Sequence, residues 1–178
     1  LWPRRAGMSL TVRELDALSP GSAAAELRAC CGASGWVTGM LARRPFRTRE
    51  TLLRSARDVW ASLTPTDWHE AIAHHPRLGE RKAALAAGPS AASWSSAEQS
   101  GVRSATPLIK AALAEGNRAY EARFGFIFIY CAAGKSADEM LTALEQRLNN
   151  DQATEQRIAA RELEQIMQLR IDKLVTAE

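Results

Sequence analysis

The sequence predicts an all-α fold, a single-domain multi-helix bundle, from two observations. Apolar residues recur at spacings of three and four along most of the chain, and the breaks between these stretches carry helix caps instead of hairpin turns. The chain has 178 residues, 46% of them hydrophobic, which is enough for one sizeable core. Residues 1–7 are expected to be a leader left by recombinant expression, ahead of a single helical domain at residues 8–178.

Helix caps define the predicted elements of the first half. Residues 22–31 are predicted to form a short helix that Gly32 closes, and residues 49–63 a longer one. Thr64 and Pro65 then begin a further helix, because Thr is a good N-cap and Pro fits the first helical position.

The second half is divided by similar signals. Residues 80–93 are rich in Ala, Gly and Ser and are predicted to be a connection that could act as a lid, before a new helix near Ser95. Ser136 begins a capping box, and the final helix is predicted over residues 151–175. Between them a long helix carries one stripe of inward-facing residues: Leu113, Asn117, Tyr120 and Phe124.

The apolar run at residues 124–130 is ambiguous in pattern alone. Its β-branched and aromatic content is typical of a strand, but the rest of the chain offers no partner strand. We therefore predict a buried helix end that Gly134 closes.

Composition excludes several classes of protein. The net charge of +3 falls to +1 once Arg4 and Arg5 of the leader are removed, and no stripe of basic residues suggests a nucleic-acid partner. Cys30, Cys31 and Cys131 lack the spacing of a disulfide framework or a metal site. No apolar run reaches the roughly 18 to 20 residues of a membrane span, and no signal peptide is evident. A cytoplasmic protein is expected.

His75 is the first candidate for chemistry. Pro76 disfavours the helical conformation of the preceding residue, so His75 should lie at a helix end, on the face that also carries Trp68 and Ile72. An imidazole titrates near ~6.5 and can therefore exchange a proton at neutral pH. A core or capping histidine is the alternative.

Glu98 and Arg170 are the other charged candidates. Glu98 stands three residues after Ser95, so it could simply complete a capping box. Arg170 falls within the apolar stripe of the last helix, where a guanidinium needs an anion, either a ligand or a structural carboxylate. That stripe consists of Leu163, Ile166, Met167 and Leu174.

Several motifs follow one another in order along most of the chain. They are His75-Pro76-Arg77-Leu78-Gly79, Ser95-x-x-Glu98-Gln99, Asn117-x-x-Tyr120-x-x-x-Phe124-Gly125-x-x-Phe128-Ile129, Arg147-Leu148 and Arg170. Taken together, these motifs resemble those of one family, the OHCU decarboxylases of urate breakdown. The resemblance implies an all-helical homodimer that converts 2-oxo-4-hydroxy-4-carboxy-5-ureidoimidazoline to CO2 and (S)-allantoin with no cofactor and no metal.

The resemblance also implies roles for individual residues. His75 is expected to be the general acid and base, with Glu98 as the carboxylate that works beside it. Main-chain groups of the wall around Ile129 are expected to bind substrate amides. The residues expected to bind the substrate are Pro76, Ser95, Gln99, Phe128, Ile129, Tyr130 and Arg170.

The same resemblance predicts the partners of the protein. A small-molecule ureidoimidazoline is the expected substrate, with functional coupling to the upstream 5-hydroxyisourate hydrolase and no membrane partner. The Ala and Arg content and the lack of a peroxisomal tail suit a bacterial, cytoplasmic member.

A catalytically inactive interaction module is disfavoured because His75, Glu98 and Arg170 are intact. A ureide hydrolase is disfavoured because the sequence shows neither a metal cluster nor a nucleophile triad.

Overall fold

A computed structural model describes residues 9–78, Trp94 and 97–176. Within these residues the chain is helical without strands, and the predicted all-α fold is confirmed. One isolated parallel bridge joins Leu10 to Val175 near the two ends of the described chain. In chain order the helices are α1 (Val12–Ala17), α2 (Pro20–Cys30), α3 (Ser34–Ala42), α4 (Arg49–Ala61), α5 (Pro65–Ala73), α6 (Ser100–Arg103), α7 (Pro107–Phe124), α8 (Ala137–Arg147) and α9 (Gln152–Leu174).

Local capping explains where most helices begin. Thr64 caps α5 through a box with Asp67, and Pro65 is its first residue, as predicted. Ser136 caps α8 through the predicted box with Glu139. Helix α2 starts two residues before the prediction, because the Ser19 hydroxyl accepts the Ser22 N–H at 3.2 Å.

The last helix organises the bundle. Helix α9 packs against α2, α4 and α5, while α7 and α8 pack against each other. Gly116 allows close approach of α7 to α8, since a Cβ at this position would lie 2.5 Å from Leu144 Cδ2. The predicted stripes of both long helices are buried: Leu113, Asn117, Tyr120 and Phe124 on α7, and Leu163, Ile166, Met167, Arg170 and Leu174 on α9.

Residues 125–130 do not continue the helix that ends at Phe124. The prediction of a buried helix end over residues 124–130 was therefore wrong. Helix α7 stops at Phe124 because Gly125 adopts a left-handed conformation with φ of 76°. Phe126, Phe128 and Ile129 continue as irregular backbone and are nevertheless buried. Side chains of α8 and α9 supply hydrogen bonds to the Ile129 carbonyl and the Cys131 N–H of this segment.

Several predictions fall on residues that the structure does not describe. These are the leader at residues 1–7, the lid within residues 80–93, and the helix start, the capping box and the substrate contact of Ser95. In the described part of the chain, every helix is too short or too polar to cross a lipid bilayer.

Candidate active site

A cleft forms where the end of α5, the residues before α6, the irregular segment after α7 and helix α9 meet. Its empty space, including the open mouth, is about 430 Å³. The described residues that line it are His75, Pro76, Leu78, Glu98, Gln99, Phe128, Ile129, Tyr130, Cys131, Ala132, Ala133, Ile166, Leu169 and Arg170. Residues separated by almost a hundred positions in sequence therefore share one cavity.

His75 lies two residues beyond the end of α5, as the following proline predicts. Its backbone N–H still donates to the Ile72 carbonyl at 2.9 Å, which holds the residue against the helix end. Burial lowers the pKa of His75 well below its ordinary value, and the positive charges of Arg170 and His74 lower that pKa further. The ring is therefore neutral at neutral pH and is a proton acceptor.

Glu98 and Arg170 form the charged centre of the cleft. Arg170 Nη2 lies 3.0 Å from Glu98 Oε2 and Arg170 Nε lies 3.2 Å from Oε1. Both residues are almost fully buried, with 5% of Arg170 and 8% of Glu98 exposed. Arg170 also donates to the Ala29 carbonyl at 3.3 Å, which anchors the guanidinium on helix α2. This paired geometry is the bidentate arrangement that arginine favours with a carboxylate.

Lys173 is the second cation on Glu98. Its Nζ lies 3.1 Å from Glu98 Oε1, the oxygen that Arg170 Nε also contacts. Burial alone would raise the pKa of Glu98, but the hydrogen bonds and charges of Arg170 and Lys173 outweigh burial and lower that pKa. Glu98 is therefore ionised at neutral pH. Among the described residues, the hydrogen bonds of the Glu98 carboxylate go to these two cations. The family resemblance had predicted that Glu98 works beside His75.

Arg147 supports the irregular wall of the cleft from behind. Its Nη1 donates to the Ile129 carbonyl at 2.7 Å, and its guanidinium lies 4.6 Å from the centre of the Phe128 ring. Arg147 Nε in turn donates to Glu155 Oε1 at 2.7 Å. On the same wall, the Cys131 N–H donates to Glu162 Oε2 at 2.6 Å. These long-range contacts replace the backbone hydrogen bonds that a helix would supply.

A buried network fixes Arg147 itself. Glu155 is fully buried and accepts hydrogen bonds from the Tyr120 hydroxyl and, at 2.8 Å, from Asn150 Nδ2. Burial raises the pKa of Tyr120, and its bond to Glu155 raises that pKa further, so the phenol stays protonated and donates. The network holds the guanidinium in one orientation.

The grip on Ile129 also orients the next N–H group. The Ile129–Tyr130 peptide bond is trans, since Arg44–Pro45 is the cis bond among the described residues. In a trans peptide the C=O and the N–H point in opposite directions. The Tyr130 N–H therefore points away from Arg147. Tyr130 lines the cleft, whereas Arg147 does not.

Thiol and metal chemistry have no support in the described residues. Burial raises the pKa of Cys31 to about 12 and also raises the pKa of Cys131 in the cleft wall, so neither thiol is a ready nucleophile. Over residues 9–78 and 97–176, no group of three His, Cys, Asp or Glu side chains converges as a metal site would require.

The structure brings together all but one of the residues that the sequence predicts for the site. Ser95 is the exception, because it lies outside the described residues. Sequence reasoning missed Lys173, although it stands three residues after Arg170 on the same helix and so shares its side. It also assigned no role to Arg147, which it quoted only as part of a motif.

Sequence comparisons with known proteins identify one family. The family model for OHCU decarboxylase matches residues 16–172. The chain is 35% identical to the uric acid degradation bifunctional protein of Arabidopsis thaliana over 84% of the chain, but it spans only 46% of that protein. It is 30% identical to the 2-oxo-4-hydroxy-4-carboxy-5-ureidoimidazoline decarboxylase of Amia calva, over 74% of the chain and 75% of the relative.

Solved structures with a similar fold include a member of the same family. A crystal structure of OHCU decarboxylase in the presence of (S)-allantoin matches with a TM-score of 0.72 and 34% identity, covering 84% of this chain and 96% of that one. A crystal structure of (S)-allantoin synthase shares the fold with a TM-score of 0.70 at 16% identity, over 94% of this chain and 54% of that one. From its sequence match, its fold and its cleft, the chain belongs to the OHCU decarboxylase family.

Proposed function

We propose that this protein is a carboxy-lyase that converts 2-oxo-4-hydroxy-4-carboxy-5-ureidoimidazoline to (S)-allantoin and CO2. The observation that carries the proposal is the cleft itself, in which a neutral His75 lies beside the buried pair of Arg170 and Glu98. Family membership gives the reaction class, and the Amia calva relative carries the name of this decarboxylase.

The substrate needs little assistance beyond orientation and proton transfer. Its carboxylate is attached to a carbon next to a C=N bond, so that bond can accept the electron pair as CO2 leaves. The protein must then bind the carboxylate, take up the hydroxyl proton and deliver a proton to one face of the ureido carbon. A group that serves both transfers lies in the cleft, namely His75.

His75 is suited to both proton transfers by its lowered pKa. The neutral imidazole takes the proton of the substrate hydroxyl as the carbon–carbon bond to the carboxylate breaks. The bonding electrons form a C=C bond to the ureido carbon, and the electron pair of the C=N bond moves to its nitrogen, which takes one proton from water. The resulting imidazolium is more acidic than an ordinary histidine, so it readily returns the proton to the ureido carbon. Delivery from one fixed side makes the product a single enantiomer.

The remaining cleft residues bind the substrate in this proposal. The Arg170 guanidinium attracts the carboxylate, and the ionised Glu98 accepts an N–H of the ring or the ureido group. Gln99 adds an amide, and the Tyr130 N–H offers a main-chain donor at the opposite wall. Pro76 and Phe128 shape the apolar part of the cleft. Ser95 remains a proposed substrate contact.

Circular dichroism of the product tests the proposal. The unstable substrate is generated in situ from urate by the two upstream enzymes, with and without this protein. Spontaneous decay yields racemic allantoin, whereas we expect rapid accumulation of the (S) enantiomer. An unchanged time course with folded protein would overturn the proposal and favour an interaction module.

Two adjacent histidines provide the matched variants. His75→Ala should reduce the enzyme-dependent rate by at least about a hundredfold, since positioned acid–base groups contribute roughly 10² to 10⁴. His74→Ala is the control, because the His74 ring contacts the Glu70 carbonyl at 2.9 Å and does not line the cleft. Equal rates for both variants would contradict the role of His75.

We also propose a cytoplasmic homodimer that receives its substrate from a separate 5-hydroxyisourate hydrolase. These proposals rest on the family resemblance. Sedimentation velocity would give the mass in solution, and a purely monomeric protein would contradict the dimer. Coupling predicts that adding the hydrolase shortens the lag before (S)-allantoin forms, beyond what faster substrate supply explains.

A further inference from the structure

Lys173 lies at the edge of the cleft and contacts its central carboxylate. It is three residues after Arg170 on helix α9, and both cations reach the same oxygen of Glu98, at 3.1 Å for Lys173 and 3.2 Å for Arg170. The Lys173 side chain is 35% exposed, whereas those of Arg170 and Glu98 are nearly buried. Glu98 is thus held between one buried and one partly exposed positive charge.

Among the described residues, Lys173 supplies a cation that offsets an added anion beside the pair of Arg170 and Glu98. Arg170 and Glu98 cancel each other, and His75 is neutral. A substrate carboxylate at Arg170 would place two carboxylates against one guanidinium. Glu162, which accepts the Cys131 N–H at 2.6 Å, adds further negative charge near the same wall. Two carboxylates on one guanidinium lie close together, and like charges repel strongly in a partly buried site.

We propose that Lys173 is a positioning residue for substrate binding. Its ammonium holds Glu98 in place and supplies the positive charge that a second carboxylate at Arg170 requires. The inference rests on the proposed function, since it takes the substrate to be an anion that binds at Arg170. It assigns Lys173 to binding, and therefore to KM, and leaves the proton transfers with His75.

Replacement by an uncharged side chain of similar length tests the role. Lys173→Met should raise KM about tenfold, equivalent to the weakening of one charge interaction by about 1.4 kcal/mol, with kcat changed by less than about threefold. Lys173→Arg keeps the charge and should restore KM to near the original value. The salt dependence of kcat/KM should be weaker in Lys173→Met, because the partly exposed charge is open to screening.

Lys110→Met is the matched control. It removes the same charge from helix α7, where Lys110 Nζ donates to the Arg103 carbonyl at 2.9 Å, away from the residues that line the cleft. Thermal unfolding of all variants shows that each is folded. An equal KM for Lys173→Met and Lys110→Met, or a failure of Lys173→Arg to restore KM, would overturn the inference.

Calorimetric binding separates this inference from the proposed function. The probes are 5-hydantoinacetate, which carries a carboxylate on a ureide ring, and neutral hydantoin. Lys173→Met should weaken binding of the anion alone. If the protein proves not to be a decarboxylase but this difference is found, the role of Lys173 stands and the proposed function fails. If turnover is found but neither KM nor anion binding depends on Lys173, the inference alone fails. If turnover is absent and anion binding does not depend on Lys173, both the inference and the proposed function fail.

Discussion

Removing the guanidinium behind the cleft wall should destabilise the whole protein. Arg147→Met deletes the partner of Glu155, whose side chain is fully buried, and also frees the Ile129 carbonyl. Breaking a buried ion pair from one side costs about 3–5 kcal/mol, because the remaining charge stays desolvated. For a chain of this length each kcal/mol lowers Tm by about 2–4 °C, so the expected decrease is roughly 6–20 °C.

Two further variants make the cause identifiable by thermal unfolding. Arg123→Met removes an exposed arginine that also lies over an aromatic ring, at 5.3 Å from the Phe124 centre, and should cost less than about 1 kcal/mol. The double variant Arg147→Met/Glu155→Gln removes both buried charges and should regain most of the lost stability. The reasoning is wrong if Arg147→Met is as mild as Arg123→Met, or if the double variant is less stable than Arg147→Met.

Activity of the same double variant reports on the wall. Its Ile129 carbonyl lacks the Arg147 donor even when the fold is retained, so the orientation of the Tyr130 N–H is no longer fixed. In the proposed function this N–H is a donor to the substrate. We therefore expect a folded double variant to have a reduced kcat/KM.

Two other predictions concern the proton and the packing of the site. The NMR titration of the His75 ring should give a pKa well below 6.5, because burial and Arg170 disfavour the charged form, so kcat/KM should stay constant as pH falls through 6.5 and decline only at lower pH. A midpoint at or above 6.5 would contradict the stated environment. Gly101→Ala should cost about 1–3 kcal/mol in chemical denaturation, because its Cβ would collide with the Lys135 backbone carbonyl. Gly21→Ala, which has open space around it, should not be destabilising; equal losses in both variants would refute the packing argument.

Local signals account for the parts of the fold that were predicted correctly. The caps at Thr64 and Ser136 depend on residues three positions away, so a single stretch of sequence contains the whole interaction. The buried stripe of α7 is likewise periodic within one helix. The start of α2 at Pro20 could have been found in the same way, from the Ser19 cap and the proline after it.

Long-range contacts account for what the sequence pattern could not give. The irregular backbone at Ile129 is stable because Arg147, 18 residues away, satisfies its carbonyl. No window of sequence around residues 124–130 contains that donor, and the pattern therefore favoured a helix. Arg170 and Glu98 are 72 residues apart, so the sequence indicated that Arg170 needs an anion without identifying Glu98 as its partner. Lys173 and Glu98 are 75 residues apart, and no sequence pattern indicated their contact.

The pairing of charges within the cleft suggests how the roles are divided. Glu98, Arg170 and Lys173 are held by one another, and the Ile129 wall is held by Arg147, so these groups can bind a substrate without large rearrangement. The His75 ring, in contrast, makes no hydrogen bond to any other described residue and is neutral. Fixed groups are suited to stabilising charge, while a neutral base that no described residue holds is suited to moving a proton. In the proposed function, binding is therefore distributed over three elements and proton transfer is assigned to one side chain.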